Sequence, residues 1–295
     1  RMGGPELEIK STTPEEEELL KKNYGVPLPH VRVGSNGYFL PASYAPHANA
    51  IRNAPLRQDD IFVVTFPRSG TTWTQELVWL VTNDLDYETA QKIPLTDRYL
   101  LTQHVTKPAQ FMQPPAEALA ALKSPRYVKS HLPLSLLPDK LLDGTRTVYV
   151  ARDPRDVVVS FYHFNKSNKL FQMVCDFDGF FDMFLKDMAL WAPFFAHIKE
   201  AWQQRHNPNM LFLFYEDLIK VPEFFGRQYS EEQLKELAKH LHFDSFSKNQ
   251  AVDLKNFKDI GAGAWRETLS SKQVLRATLW MDRHLSDTDL RFPVC

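Results

Sequence analysis

The amino-acid sequence predicts an α/β fold, a single domain in which a central parallel sheet is flanked by helices on both faces. Four apolar, β-rich runs are each followed within a few residues by a helical pattern; they are residues 61–65, 127–129, 147–151 and 210–214. Alternation of strand and helix is typical of a parallel sheet that is covered on both faces. A chain of 295 residues, 43% of them hydrophobic, can also bury one sizeable core.

The N-terminal part of the chain has a different character. Residues 11–22 predict a short acidic helix with Pro14 near its start, and residues 26–55 carry five prolines and little periodicity, which predicts mostly loop. We therefore divide the chain into an N-terminal extension over residues 1–34, partly helical and partly loop, and a main domain over residues 35–295.

Composition limits the class of partner. The 35 Lys and Arg residues are balanced by 36 Asp and Glu, a net charge of -1, so no global basic field favours nucleic acid or an anionic membrane. Neither a signal-peptide pattern nor a membrane-spanning apolar run is found, and the only cysteines are Cys175 and Cys295. These features predict a cytoplasmic protein without a disulfide framework, in which any anion site is local.

The loop after the first predicted strand has the composition of a phosphate site. The stretch "TFPRSGTTW", residues 65–73, leads into a helix whose apolar stripe includes Trp73, Leu77 and Leu80. Cations, hydroxyls and backbone N–H groups are offered by five successive residues, Arg68, Ser69, Gly70, Thr71 and Thr72. The alternative is that Gly70 only permits a turn and Thr71 only caps a helix. The sequence lacks the pattern G-x-x-x-x-G-K-[ST], which binds the phosphates of nucleoside triphosphates, and this absence disfavours a kinase.

Two further strand ends carry candidate side chains. In "YVKSHLP", residues 127–133, Lys129 and His131 lie two apart in an extended segment and point to the same side. In the segment from residue 148 to 164, Arg152 precedes a helix that Asp153 caps, and Ser160 lies two turns along the same face. The alternatives are a structural histidine and, for Arg152, an ordinary salt bridge to Asp156.

These three segments together resemble a known family. "TFPRSGTTW", "YVKSHLP" and "RDPRDVVVSFYHF" are similar, in order and spacing, to the signature segments of the cytosolic sulfotransferases, and "LFLFYEDL", residues 211–218, resembles a fourth. The resemblance covers residues 35–285. It implies a P-loop-like loop and transfer of a sulfuryl group from 3′-phosphoadenosine 5′-phosphosulfate (PAPS) to the hydroxyl of a small hydrophobic acceptor, such as an alcohol, a phenol or a steroid-like compound. It implies no metal.

The resemblance also implies residue roles. The catalytic set would be His131 as general base with Lys129, Arg68 and Ser160, of which Lys129 and Arg68 would stabilise the transferring group and the leaving phosphate. The nucleotide would be bound by a larger set, namely Arg68, Ser69, Gly70, Thr71, Thr72, Trp73, Arg152, Ser160, Tyr215, Phe246 and Lys258. Within that set, Trp73 would stack on adenine, and Arg152 with Ser160 would hold the 3′-phosphate.

The sequence departs from the family pattern at three places. Arg68 replaces the usual lysine of the first loop, and "KDIGAGAW", residues 258–265, keeps only Lys258, Gly263 and Trp265 of the C-terminal motif. The usual dimer motif is degraded, with Leu275 where a glutamate is expected, so we do not infer a homodimer.

Alternatives follow from these departures. Phe66 and Arg68, in place of tyrosine and lysine, are similar to the retinol dehydratase branch, which implies PAPS-dependent dehydration of an allylic alcohol such as retinol. A nucleotide-binding protein that has lost catalysis is the third hypothesis. The aromatic- and Met-rich residues 103–115 and 177–195 either wall an acceptor pocket or, for most side chains, pack in the core.

Overall fold

The computed structural model describes residues 7–25, 29–101, 115–168, 172–215, 220–242, 246, 248–252 and 261–293. Its strands are β1 (Ile9–Ser11), β2 (His30–Val33), β3 (Tyr38–Pro41), β4 (Ile61–Thr65), β5 (Leu100–Leu101), β6 (Tyr127–Ser130), β7 (Arg146–Ala151) and β8 (Met210–Phe214).

The α-helices of the described residues, numbered in chain order, are α1 (Pro14–Asn23), α2 (Ala48–Arg52), α3 (Thr71–Thr82), α4 (Tyr87–Lys92), α5 (Leu95–Arg98), α6 (Pro115–Ala121), α7 (Leu141–Gly144), α8 (Pro154–Ser167), α9 (Phe177–Leu185), α10 (Phe194–Gln203), α11 (Val221–Phe224), α12 (Glu231–Leu241), α13 (Trp265–Thr268) and α14 (Ser271–Leu285). Two 3-10 helices lie at Ala42–His47 and Leu134–Leu136.

The central sheet has five parallel strands in the order β5-β6-β4-β7-β8, which confirms the predicted fold class. All five residues of β4 are buried, as expected of a strand with helices on both sides. Alternate β4 side chains enter different cores: Phe62 and Val64 point to one, Ile61 and Val63 to the other.

The two faces of the sheet carry separate hydrophobic cores. The core on one face, which we call the first core, receives buried side chains from α8, α9, α10 and α14. The other, which we call the second core, receives them from α3 and α12. The strands are therefore shielded by helices on both sides, and their polar residues project at the strand ends.

Local signals in the sequence are confirmed at the predicted strands and caps. The bounds of β4 and β8 are those predicted, and β6 and β7 are each one residue longer than predicted. The Asp153 side chain accepts a hydrogen bond from the Arg155 N–H at the start of α8. Ser230 and Gln233 form a capping box at the start of α12.

The prediction of mostly loop for residues 26–55 is wrong. This stretch contains β2, β3, a 3-10 helix and α2, and β1, β2 and β3 form an antiparallel sheet. Its strands have at most four residues, and every residue of β3 is buried, so no alternating pattern marks them in the sequence. The division at residues 34 and 35 falls between β2 and β3 and stays a prediction.

The small sheet is joined to the main body through β3. The Phe39 N–H donates to the Ala192 carbonyl at 2.7 Å, and the Trp191 N–H donates to the Phe39 carbonyl at 2.8 Å. Among the helices in the described ranges, none combines the length and the apolar character that crossing a membrane requires.

Candidate functional site

The site lies where the carboxyl ends of β4, β6 and β7 meet. These strands are neighbours in the sheet and run parallel, so the loops that follow them converge at one edge. Each loop carries a group of the residues singled out from the sequence.

The loop between β4 and α3 has an unusual backbone. Arg68 and Gly70 have positive φ angles of 68° and 93°, with Ser69 between them. Alternation of this kind turns successive N–H groups toward one side and forms a concavity for an anion. Gly70 is required for a second reason: a Cβ atom at this position would lie 2.5 Å from Cδ2 of Tyr215.

The donors of this loop are suited to a phosphate or sulfate group. The Ser69 hydroxyl is buried and has no hydrogen-bond partner among the described residues. The first N–H groups of α3 lack partners within the helix, and its first turn contains no acidic residue. Because an unpaired buried hydroxyl is unfavourable, these donors together fit a bound oxyanion.

His131 is held in one tautomer. Its Nδ1 lies 3.0 Å from the Thr65 carbonyl oxygen, and 3.3 Å from the Thr65 hydroxyl, which contacts the Thr71 hydroxyl at 2.6 Å. Since a carbonyl oxygen can only accept, Nδ1 carries the proton. In the neutral ring Nε2 is therefore unprotonated and free to accept a proton.

Burial and like charges set the protonation of the site. Burial, helped by the charge of Lys129, lowers the pKa of His131 well below its ordinary value, so the imidazole is neutral at pH 7. Burial and the Arg68 charge lower the pKa of Lys129 to about 8. Burial and the Arg152 charge lower the pKa of Arg68 to about 10. A bound anion would relieve this crowding of cations.

Arg68 reaches from the first loop to α8. Its Nε donates to the Ser160 hydroxyl at 3.0 Å, and its guanidinium lies 5.1 Å from the ring centre of Phe164. Arg152 donates to the Arg68 carbonyl at 3.2 Å. The structure therefore connects both Ser160 and Arg152 to Arg68, one through its side chain and the other through its carbonyl.

The aromatic residues form a second group beside the loop. The Trp73 indole N–H donates to the Leu241 carbonyl at 2.7 Å, and the Trp73 and Tyr215 rings are 5.5 Å apart. The guanidinium of Arg152 lies 4.9 Å from the Tyr215 ring centre. Phe246 is buried in the second core, against which Trp73 and Tyr215 pack. Lys258 lies outside the described residues.

Asp156 organises the C-terminal segment at this site. Its two carboxylate oxygens accept the N–H groups of Gly263 at 2.8 Å and Trp265 at 3.1 Å. Arg152 in turn donates to the Gly261 carbonyl at 3.0 Å. In place of the salt bridge considered for Arg152 and Asp156, these contacts use both side chains to bring residues 261–265 against the start of α8.

Sequence reasoning missed three residues that shape the site: Thr65, Asp156 as a backbone acceptor, and His197. The carbonyl of Thr65 carries no side-chain signal, and the partners of Asp156 lie more than 100 positions away in the chain. His197 does leave a trace, because it stands within the apolar stripe of α10, between Phe194 and Ile198. A histidine on such a stripe indicates a buried and hydrogen-bonded ring.

The aromatic residues of the segment 177–195 pack mainly in the first core. Phe180, Phe181 and Phe184 are buried there, which confirms core packing for most of residues 177–195. Trp191 is the member of this segment that contacts His131, with ring centres 5.5 Å apart. Phe66 lies edge-on to the Phe161 ring at 6.2 Å. Residues 103–114 of the other candidate segment lie outside the described residues.

Comparison with known proteins agrees with this geometry. A family model described as a sulfotransferase domain matches residues 58–289. Luciferin sulfotransferase of Photinus pyralis is 32% identical over 248 residues, which cover 76% of this chain and 66% of that protein. Sulfotransferase 1A1 of Rattus norvegicus is 30% identical over 288 residues, covering 90% and 97%. A crystal structure of retinol dehydratase in complex with androsterone and the inactive cofactor PAP has a TM-score of 0.93 at 36% identity, covering 99% of both chains.

Proposed function

The chain belongs to the sulfotransferase family, and we propose that it transfers the sulfuryl group of PAPS to the hydroxyl of a small hydrophobic acceptor, such as an alcohol, a phenol or a steroid-like compound. One observation carries the proposal. The His131 imidazole is neutral and has an unprotonated Nε2, and it lies near the cations Lys129 and Arg68 and the unpaired hydroxyl of Ser69. We assign it to the cytoplasm on its resemblance to the cytosolic sulfotransferases alone.

The proposed nucleotide site is built from the first loop and the aromatic group. Ser69, Gly70 and the N-terminus of α3 would bind the 5′ phosphosulfate through hydroxyl and N–H donors. Trp73 and Tyr215 supply the faces on which an adenine ring packs. Arg152 would provide positive charge for the 3′-phosphate, and Ser160 would provide a hydroxyl donor. PAPS supplies the activated sulfuryl group.

His131 is the proposed general base. The Thr65 carbonyl fixes the Nδ1–H tautomer, so Nε2 can remove the proton from an acceptor hydroxyl within hydrogen-bond reach. Trp191 contacts the same ring and limits the space beside it. A base with a pKa below 7 is in its active form at neutral pH without prior loss of a proton.

Lys129 and Arg68 are proposed to stabilise negative charge. Charge grows on the transferring oxygens and on the departing phosphate oxygen, and fixed cations in a water-poor site lower the energy of that state. Arg68 keeps its charge throughout the neutral range, while its Nε–H bond to Ser160 fixes the direction of the guanidinium. In this proposal it neutralises the leaving group rather than protonating it.

Ligand-induced thermal stabilisation tests the nucleotide specificity. We expect 3′-phosphoadenosine 5′-phosphate (PAP), the desulfated donor, to raise Tm and ATP to have little effect. The proposed site has one set of donors for the 5′ phosphate and another for the 3′-phosphate, rather than one site for a triphosphate chain. At 100 times its Kd, a ligand adds about 2.7 kcal/mol to the free energy of unfolding. Stabilisation by ATP with none by PAP at millimolar concentration would exclude the proposal. In parallel, His131→Ala should abolish turnover and leave the PAP affinity nearly unchanged.

A second candidate is PAPS-dependent dehydration of an allylic alcohol, such as retinol. The similarity to retinol dehydratase over 99% of both chains, together with Arg68, favours it. In that reaction the alcohol oxygen is sulfated, its bond to carbon breaks with the electron pair leaving on sulfate, and a proton is lost from carbon. Mass spectrometry separates the outcomes, since transfer gives a sulfate ester and elimination gives an anhydro product. PAP binding without either product across an alcohol and phenol panel would instead support the nucleotide-binding hypothesis.

A further inference from the structure

The backbone carbonyl of His131 lies beyond the sheet hydrogen bonds that hold β6. The last register pair of β6 with β4 joins Ser130 to Val64, so the ladder ends one residue before His131. A carbonyl that is partly buried at such a place still needs another donor. The donor is the Nε2–H of His197, which lies 2.9 Å from the His131 carbonyl oxygen.

Both ring nitrogens of His197 are hydrogen-bonded, and two aromatic rings pack against its imidazole. Because it donates from Nε2 to a carbonyl, its Nδ1 accepts, and the Tyr149 hydroxyl donates to it at 2.7 Å. The side chain is fully buried, and its ring lies edge-on to Phe66 at 5.6 Å and to Tyr38 at 6.2 Å. Burial lowers the pKa of His197, which keeps this ring neutral and preserves the tautomer.

A second contact from α10 holds the same stretch of chain. Glu200, one turn after His197, accepts the Ser135 N–H at 3.0 Å and the Ser135 hydroxyl at 2.9 Å. It also accepts the Tyr38 hydroxyl at 2.5 Å. Helix α10 thus fixes the chain that follows β6 at both residue 131 and residue 135.

We propose that His197 is a positioning residue for His131: it fixes the main chain of the base, while Thr65 fixes the ring. The two hydrogen bonds hold different parts of His131. Its backbone carbonyl accepts one, and its Nδ1–H donates the other. Together they determine where the Nε2 lone pair points. The effect of His197 on turnover rests on the proposed function above, whereas its effect on the His131 ring does not.

Four substitutions test this role. His197→Leu removes the donor, and His197→Gln retains an N–H donor that can reach the His131 carbonyl. Ile198→Val is the matched control, since it perturbs a fully buried neighbour on the same helix without touching the hydrogen bond. Tyr149→Phe, which removes the donor to Nδ1 and a longer hydrogen bond of 3.4 Å to the His197 carbonyl, serves as a second variant if His197→Leu does not fold.

The first measurement is the NMR spectrum of the His131 imidazole nitrogens. Their signals are identified by their loss in His131→Gln. We expect His197→Leu to populate the Nε2–H tautomer of His131 and to raise its pKa toward the ordinary value, because the carbonyl and ring become hydrated. His197→Gln and Ile198→Val should keep the native tautomer and pKa, and Tyr149→Phe should show a smaller change in the same direction. Native His131 signals in both His197→Leu and Tyr149→Phe would overturn the proposal.

The second measurement separates kcat from KM. We expect His197→Leu to lower kcat by about 10-fold to 100-fold, the range for a catalytic group misplaced by about 1 Å, with little change in KM for PAPS. His197→Gln should recover most of that loss. An equal loss in the Leu and Gln variants would contradict positioning through this hydrogen bond. If the chain neither bound PAP nor transferred sulfate, the proposed function would fail while the NMR measurement still decided the role of His197.

Discussion

Substitution of Gly70 by alanine tests the packing of the first loop against Tyr215. The added Cβ would lie 2.5 Å from Cδ2 and 2.8 Å from Cε2 of the Tyr215 ring, both below any normal carbon contact. The ring cannot move aside at little cost, because Arg152 stacks on it and Trp73 packs beside it. The φ of 93° at Gly70 adds backbone strain for any residue with a side chain.

The expected loss of stability has two parts. A left-handed conformation costs alanine about 1–2 kcal/mol, and forcing an extra methyl group into a packed site costs about 1–3 kcal/mol. The free energy of unfolding of Gly70→Ala should therefore fall by about 2–5 kcal/mol. Because the displaced ring belongs to the proposed adenine site, the PAP affinity should fall as well.

Gly226→Ala is the matched control. Gly226 has a similar φ of 65°, but among the described residues no atom outside its own chain neighbours lies within 4 Å of the position that its Cβ would take. Chemical denaturation of both variants should give a loss of about 1–2 kcal/mol for Gly226→Ala, which carries the backbone strain alone. PAP binding to this variant, measured by calorimetry, should equal that of the unsubstituted protein.

A double-mutant cycle identifies the steric contribution. In a Tyr215→Ala background the clash is absent, so Gly70→Ala should then cost only the strain seen for Gly226→Ala. If Gly70→Ala cost the same with and without the Tyr215 ring, close approach to that ring would not be the reason for a glycine here.

Three further predictions concern charge. The unprotonated His131 is the active form and its pKa is depressed, so kcat/KM for an aliphatic alcohol should stay level down to pH 6.5 and fall only below it. An acid limb at or above pH 6.5 would contradict the depressed pKa. The charged form of Lys129 is the active one, so kcat/KM should also fall as pH rises through about 8, and Lys129→Arg should remove that limb. For Arg68→Lys we expect equal or greater activity, measured as kcat, because charge is retained and a proton can also be donated; a loss of more than about tenfold would show that the guanidinium fork is required.

The strands and caps were predictable because their signals are local. Residues 61–65 and 210–214 are apolar, β-rich runs, each directly preceded by a polar residue, and such a run is enough to predict a strand. The Ser230 capping box is likewise complete within four residues. The N-terminal sheet was not predictable in this way, since its strands have only three or four residues and β3 is held by hydrogen bonds to Trp191 and Ala192, far along the chain.

Site residues could be predicted only as far as their side chains signalled chemistry. The sequence indicated that Lys129 and His131 face one side, and the structure adds that a backbone carbonyl of Thr65 sets the tautomer of the imidazole. Helix periodicity placed Arg152 and Ser160 on one face, and the structure adds that the Ser160 hydroxyl accepts the Arg68 Nε–H. Their shared role toward the 3′-phosphate stays a prediction. Contacts that involve backbone atoms or distant residues leave no mark in the amino-acid pattern.

The central sheet separates two hydrophobic cores, one on each of its faces. The proposed nucleotide side, with Trp73, Tyr215 and Phe246, is supported by the second core, whereas Phe66 and Trp191 beside the base belong to the first core. On the proposed function, substitutions around Trp191 in the first core should therefore alter which acceptor fits while the Trp73 and Tyr215 contacts to adenine stay unchanged. The acceptor could then change while the donor nucleotide stays the same.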